Sequence, residues 1–173
     1  LADRLPGAQV FGDVAPMLDA HRLDALHVCT PSPSHRSIIV QAIEAGVHVL
    51  VEKPVTATAA ETRALLAGAA EKKVTVCPVH QYAFQPAIAA LRAAAPEWHE
   101  PLHCRFTICS AGGVGADDAT LDAVVADILP HPLSVLCALW PDQDQHASRW
   151  TVHRTRPGEL LVSGISGTMT VEM

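Results

Sequence analysis

The chain has 173 residues, 49% of them hydrophobic and 17% charged, with a formal net charge of -6. That is enough apolar material for one ample packed domain or two small ones, and too much for a disordered chain. The acidic balance argues against a nucleic-acid or anionic-membrane surface, and no continuous apolar run reaches the roughly 18 residues of a membrane span.

In chain order, Leu1-Ala2-Asp3-Arg4-Leu5 reads as the last turn of a helix. Pro6-Gly7 then turns the chain into a short strand over residues 8–11. Residues 14–20 form a short helix with Val14, Met17 and Leu18 on one side. A strand over residues 24–29 breaks at Thr30-Pro31-Ser32-Pro33-Ser34, where two prolines oppose both helix and ladder. From His35 to about Ala45 a helix gathers Ile38, Ile39, Ala42 and Ile43 on one face, and Gly46 stops it. Val47-His48-Val49-Leu50-Val51 reads as a buried strand that delivers Glu52-Lys53 and is stopped by Pro54. Thr58-Ala59-Ala60-Glu61 has capping-box spacing and opens a helix to about Lys72. Residues 74–79 make the next strand. Strand and helix alternate in the rhythm of a parallel sheet with crossover helices.

The pattern changes after His80, and a boundary is placed near residue 82, dividing the chain into residues 1–82 and 83–173. Pro86 opens an Ala-rich helix, residues 96–101 form a linker, and residues 102–110 alternate as a strand. Gly112-Gly113-Val114-Gly115 reads as a flexible loop. Residues 119–140 are helical with a break at Pro130 and Pro132. Residues 150–153 and 159–171 read as strands joined by Arg156-Pro157-Gly158. This second part is of the α+β kind. Of five cysteines, Cys29, Cys77 and Cys137 sit in apolar runs and read as small core residues. The odd set, without a Cys-x-x-Cys pair, fits a reducing cytoplasm. The ten histidines are read as surface or capping residues, and no metal is expected.

Three constellations carry chemistry. Thr30-Pro31-Ser32-Pro33-Ser34-His35 and Glu52-Lys53-Pro54 follow strands that, if neighbours, open on the same sheet edge, where ligands bind in open α/β sheets. A plainer reading makes Ser34 a helix cap and Glu52-Lys53 a solvated ion pair at a turn. Lys at a strand end over a crevice is nonetheless a ready polarising cation. Third, Asp127 and His131 are spaced to share a helix face, or, with Pro130 opening a helix, to meet across its start. A carboxylate beside an imidazole suits acid–base work; the plain alternative is a capping Asp and a core His. His80, Gln81 and Tyr82 are weaker candidates at the end of the third strand.

These motifs in this order resemble the Gfo/Idh/MocA oxidoreductases. The resemblance rests on Thr30-Pro31-x-x-x-His35, Ala45-Gly46-x-His48-Val49, Glu52-Lys53-Pro54, His80-Gln81-x-x-Phe84-x-Pro86 and Asp127-x-x-x-His131. It implies a partial Rossmann domain with a parallel sheet, followed by part of an α+β domain with a mostly antiparallel sheet. It also implies NAD or NADP as cofactor, a sugar, cyclitol or related hydroxy or keto compound as substrate, and assembly of the full-length protein through the second domain. By the same resemblance, Thr30, Pro31, His35, Glu52, Lys53, Pro54 and Gln81 line the cofactor, while Lys53, Asp127 and His131 serve catalysis. The sequence departs from the family at Ser32, where Asn is frequent, at Ala83 for Arg, at Leu129 for Gly and at Ser134 for Asp. The family's opening strand and Gly-x-Gly-x-x-Gly turn do not precede Leu1, so the sequence is expected to be a fragment cut at both ends. Without that turn, weak dinucleotide binding is expected. Two rival expectations are a non-catalytic sensor of a dinucleotide or sugar with the same fold, and an inactive fragment.

Overall fold

The structure, a computed structural model, describes residues 6–98, 101–110, 113–141 and 149–173. The helical turn expected over Leu1-Ala2-Asp3-Arg4-Leu5, part of the linker and Gly112 lie outside those residues. The chain divides into two compact units, Leu1–Val79 and His80–Met173.

The first unit contains α1 (Val14–Ala20), β1 (Ala25–Val28), α2 (His35–Glu44), β2 (His48–Val51), α3 (Ala59–Glu71) and β3 (Val76–Pro78). The strands form one parallel sheet in the order β1-β2-β3. Parallel neighbours need a connection that carries the chain back across the sheet, and α2 and α3 supply it. Val28, Val49 and Val51 meet Ile39, Ala42, Ile43, Leu65 and Ala69 in the core. The helix patterns predicted that face, and Ile39 and Ala42 are fully buried.

Both crossover helices end in the same hydrogen-bond motif. After α2, Gly46 N–H donates to Ile43 O and Val47 N–H to Ala42 O. After α3, Lys73 N–H donates to Ala70 O and Val74 N–H to Ala69 O. The motif needs a left-handed residue at its centre. Gly46 adopts φ +74° without a Cβ to obstruct it, whereas Lys73 holds φ +57° with one. At the start of α3 Thr58 Oγ1 accepts from Glu61 N–H at 3.2 Å, as the capping spacing predicts.

Four expectations for this unit are corrected. Residues 8–11 form no strand, because no ladder partner lies beside them among the described residues. Pro33 does not exclude helix: Ser32–Ser34 make a 3-10 turn, with Pro33 in its opening positions where a missing N–H costs nothing. Strand β2 is buried on one face only, with His48 exposed and Leu50 38% exposed. Both crossover helices pack on the other face. Cys29 and Cys77 are exposed rather than core residues for the same reason.

The second unit contains α4 (Pro86–Ala94), β4 (His103–Arg105), α5 (Asp118–Ile128), α6 (Pro130–Leu139), β5 (Arg149–Arg156), β6 (Glu159–Ser166) and β7 (Met169–Glu172). Its sheet has the order β4-β7-β6-β5; β4 and β7 are parallel and the other pairs antiparallel. Leu136 of α6 packs with Met169 and Val171 of β7, and all three are fully buried. The strand expected over residues 159–171 is two strands, because Gly167 at φ +59° turns the chain in a two-residue hairpin. Strand β4 is shorter than its alternation suggested, since β7 offers it three partners. Gly164 faces Trp150, and a Cβ there would overlap the indole ring. Cys137 is exposed, not a core residue.

Two further patterns change meaning in this unit. Helices α5 and α6 meet at Leu129, whose backbone is helical, and the span Asp118–Leu139 of 22 residues holds an 18-residue window of mean hydropathy 1.4, long and apolar enough to cross a membrane by length and composition. The break expected at Pro130 falls where α6 begins, with Pro130 in the opening position where its missing N–H is harmless. Val135, Leu136 and Leu139 of that stretch are buried within the unit. His99 and His103 have helical metal-ligand spacing, but His103 lies on β4 with Nδ1 2.8 Å from Thr170 Oγ1; His99 lies outside the described residues.

The left-handed lysine gives a direct test of the local account. Lys73→Gly should stabilise the first unit by up to about 1 kcal/mol, the relief of Cβ strain less the added freedom of the unfolded chain. Urea unfolding measures it, and a loss of stability would contradict the strain at this position.

Candidate active site

The parallel register sets the first half of the site. Val28 of β1 lies beside Val51 of β2, so Thr30 and Glu52-Lys53-Pro54 emerge at the same edge of the sheet. Glu52 N–H donates to Val28 O at 3.0 Å and Val79 N–H to Val51 O at 2.7 Å, which ties the loop bases together. Glu52, Lys53 and Pro54 are half-buried, and Thr30 and Pro31 are exposed. The Lys53–Pro54 bond is cis.

His35 joins the two loops. Its ring is 1% exposed. Nε2 lies 2.7 Å from Thr30 O and Nδ1 2.8 Å from Pro54 O. Ser34 caps nothing with its side chain. Instead its Oγ reaches Thr30 Oγ1 at 2.7 Å and Pro31 O at 2.8 Å, closing the turn on itself. The six expected residues of this unit thus occupy one edge, and one of them holds the others in register.

The second unit carries Gln81, Asp127 and His131. Pro130 opens α6 and puts His131 in its first turn, where the ring is 7% exposed. The 3-10 turn Gln81–Phe84 brings Tyr82 against it, with ring centroids 4.3 Å apart and planes inclined by 33°. Asp127 is exposed near the end of α5. Because Leu129 stays helical, Asp127 precedes His131 by one turn, the face-sharing arrangement rather than the helix-start one. Ser134 Oγ donates to His131 O at 2.7 Å. The Ser134 hydroxyl is thus turned onto its own helix. Gln81 is exposed. Burial pushes the imidazole of His80 down from its ordinary pKa, and its buried Nδ1 meets no hydrogen-bond partner among the described residues.

Sequence reasoning missed one cluster in this unit. Asp122 of α5 accepts from Arg154 Nε and Gly158 N–H, each at 3.1 Å, and pairs with Arg154 Nη2 at 2.8 Å. Those bonds hold its carboxyl below the usual carboxylate range, the Arg154 bond contributing most. They fasten α5 to the β5–β6 turn beside a cavity of about 940 Å³ lined in part by Phe106, Leu121, Val125 and Met173. No local pattern signals contacts over such separations, and no expected site residue lines that cavity.

The residues present suit one end of a dinucleotide. An exposed hydroxyl at Thr30 and an ammonium at Lys53, on loops clipped together at a parallel-sheet edge, fit a ribose and the ring it carries. A glycine turn for the pyrophosphate is not found among the described residues. Gly113 and Gly115 lie in a turn of the second unit, where a Cβ on Gly113 would push the end of the Leu121 side chain aside.

Residues 2–80 match the model of an oxidoreductase family with an NAD-binding Rossmann fold, Gfo/Idh/MocA. An inositol 2-dehydrogenase of Pseudomonas syringae pv. syringae is 29% identical over 175 aligned positions, covering 94% of this chain and 51% of the relative. A D-apiose dehydrogenase of Paraburkholderia graminis is 36% identical over 83 positions, covering 48% of this chain and 22% of the relative. The crystal structure of an inositol dehydrogenase homolog from Azotobacter vinelandii, complexed with NAD+, superposes with a TM-score of 0.72 at 24% identity, covering 94% of this chain and 49% of that one. The chain therefore spans about half the length, or less, of the relatives it matches. The sheet order and the loops at its edge agree with the NAD-binding Rossmann fold of the family whose model residues 2–80 match.

Proposed function

We propose that the full-length protein is an NAD(P)-dependent dehydrogenase acting on a CH–OH group of a sugar or cyclitol. The observation that carries this reading is the joining of Thr30-Pro31 and Glu52-Lys53-Pro54 at one edge of a parallel sheet in a chain whose residues 2–80 match this family. The names of the relatives, inositol 2-dehydrogenase and D-apiose dehydrogenase, support the substrate class. A bound nicotinamide would supply the acceptor for a hydride.

The chain's own residues would supply position and charge. The Lys53 ammonium would steady the substrate oxygen as it gains negative character on the way to a carbonyl. His131 would take the hydroxyl proton, and Asp127, one turn before it, would favour the protonated ring that results. Tyr82 would fix the plane of that ring by stacking against it. Thr30 and Glu52 would line the cofactor's ribose side. The exposed Leu161 and Ile165 on β6, 43% and 48% accessible, support assembly through the second unit's sheet. Five cysteines, none bonded to another, suit a reducing compartment such as the cytoplasm.

Retention of Lys53, Asp127 and His131 together favours an enzyme over a sensor of the same fold. In the full-length protein, Lys53→Ala should lower kcat by about two to four orders of magnitude while NAD(P) still binds, as measured by steady-state turnover and calorimetry. Near-normal turnover would remove Lys53 from the chemistry. For alcohol oxidation, His131 must be unprotonated to act, so the rate should fall as pH drops through its titration. His131→Ala should lower the rate and abolish that acid limb, and an unchanged pH–rate profile would reject His131 as the proton acceptor.

A further inference from the structure

We propose that His35 carries a proton on both ring nitrogens, and that this buried imidazolium is the positioning residue of the two loops that line the cofactor edge. Carbonyl oxygens only accept hydrogen bonds, and a neutral imidazole has one donor nitrogen and one acceptor nitrogen. Here both nitrogens face carbonyls, Nε2 at 2.7 Å from Thr30 O and Nδ1 at 2.8 Å from Pro54 O. In either neutral tautomer one nitrogen lone pair would point at a carbonyl lone pair at bonding distance. Only the doubly protonated ring turns both contacts into hydrogen bonds. Both distances fall within the roughly 2.7–2.9 Å range typical of charge-assisted N–H···O bonds.

Burial sharpens the choice. The ring is 1% exposed, so water does not stand ready to replace a lost partner, and a half-satisfied ring would leave a buried polar atom opposed rather than bonded. A buried cation is tolerated where it is fully hydrogen-bonded and near compensating charge. Glu52 lies on the same loop as Pro54, with Lys53 between them. Arg36, which follows His35 on α2, lies 3.8 Å from Glu61 of α3. Glu44 is at the far end of α2.

The consequence is positional. Thr30 and Pro54 come from loops after different strands, and one rigid ring spans the gap between their carbonyls. The width of the imidazole therefore sets the separation of the loops, and Lys53, one residue before Pro54, inherits its place from that contact. A side-chain amide cannot substitute, because both its protons sit on one nitrogen. The protonation stands on the hydrogen-bond geometry alone. The positioning role toward cofactor also rests on the proposed function, whose own failure would appear separately as normal turnover in Lys53→Ala.

The test is ring-nitrogen NMR on the isotope-labelled full-length protein at neutral pH. Correlations from ring to backbone assign His35 without any variant, so misfolding of a substituted chain cannot obscure the result. The expected outcome is a directly bonded proton on each His35 ring nitrogen, with hydrogen-bond couplings from one to the Thr30 carbonyl carbon and from the other to that of Pro54. A ring nitrogen without a proton would overturn the imidazolium. Two protons without coupling to both carbonyls would overturn the positioning role.

Discussion

The first unit depends on the imidazole of His35 lying between two backbone carbonyls. A parallel sheet leaves its strands' carboxyl ends as loops that nothing in the ladder constrains beyond the last paired residue. β1 and β2 pair up to Val28 and Val51, and Thr30 and Pro54 lie past that limit. One buried side chain, positioned at the first residue of α2, takes over where the ladder stops. The sequence serves this arrangement from several sides. Pro33 opens the 3-10 turn that delivers the chain into α2, Ser34 closes that turn through its hydroxyl, and the Ile39-Ala42-Ile43 face anchors the helix on the sheet. The edge is thus firm before any ligand arrives, which is the preorganisation that electrostatic catalysis requires.

In the second unit the comparable anchor is the face of α6. Leu136 fixes the helix on β7, and the same helix presents His131 in its first turn against Tyr82. The proposed base is therefore carried by a core helix, and Asp122 secures the preceding helix to the β5–β6 turn. Both proposed reactive groups, Lys53 and His131, stand on or beside regular elements whose packing restricts them. That is the pattern expected of side chains that must hold a fixed geometry.

Much of this was legible in the sequence because it is written in local signals. Apolar periodicity located α2 and α3, Thr58 and Glu61 marked a helix start, and Gly46 marked a helix end. The ordered motifs around His35, Lys53 and His131 pointed to the family that the comparison finds over residues 2–80. What was not legible depends on partners. Residues 8–11 have strand composition but no neighbour to pair with among the described residues. Leu50, Cys29 and Cys77 look like core residues, yet they lie on or beside the uncovered face of the sheet. Gly167 turns a hairpin that alternation concealed. The double role of His35 was equally hidden, for a motif names the residue but not the two carbonyls that meet its ring.

The proposed function has the full-length protein move a hydride between a substrate carbon and a nicotinamide, with Lys53 and His131 steering charge and proton. The most direct measurement follows an isotope. The full-length protein is incubated with NAD+ or NADP+ and an inositol or aldose deuterated at the carbinol carbon, and the recovered cofactor is analysed by mass spectrometry and NMR. The account predicts deuterium on the reduced nicotinamide ring, transferred without loss to solvent. Cofactor that binds but remains oxidised and unlabelled with the whole series of sugars and cyclitols would contradict it and leave a sensor of the same fold.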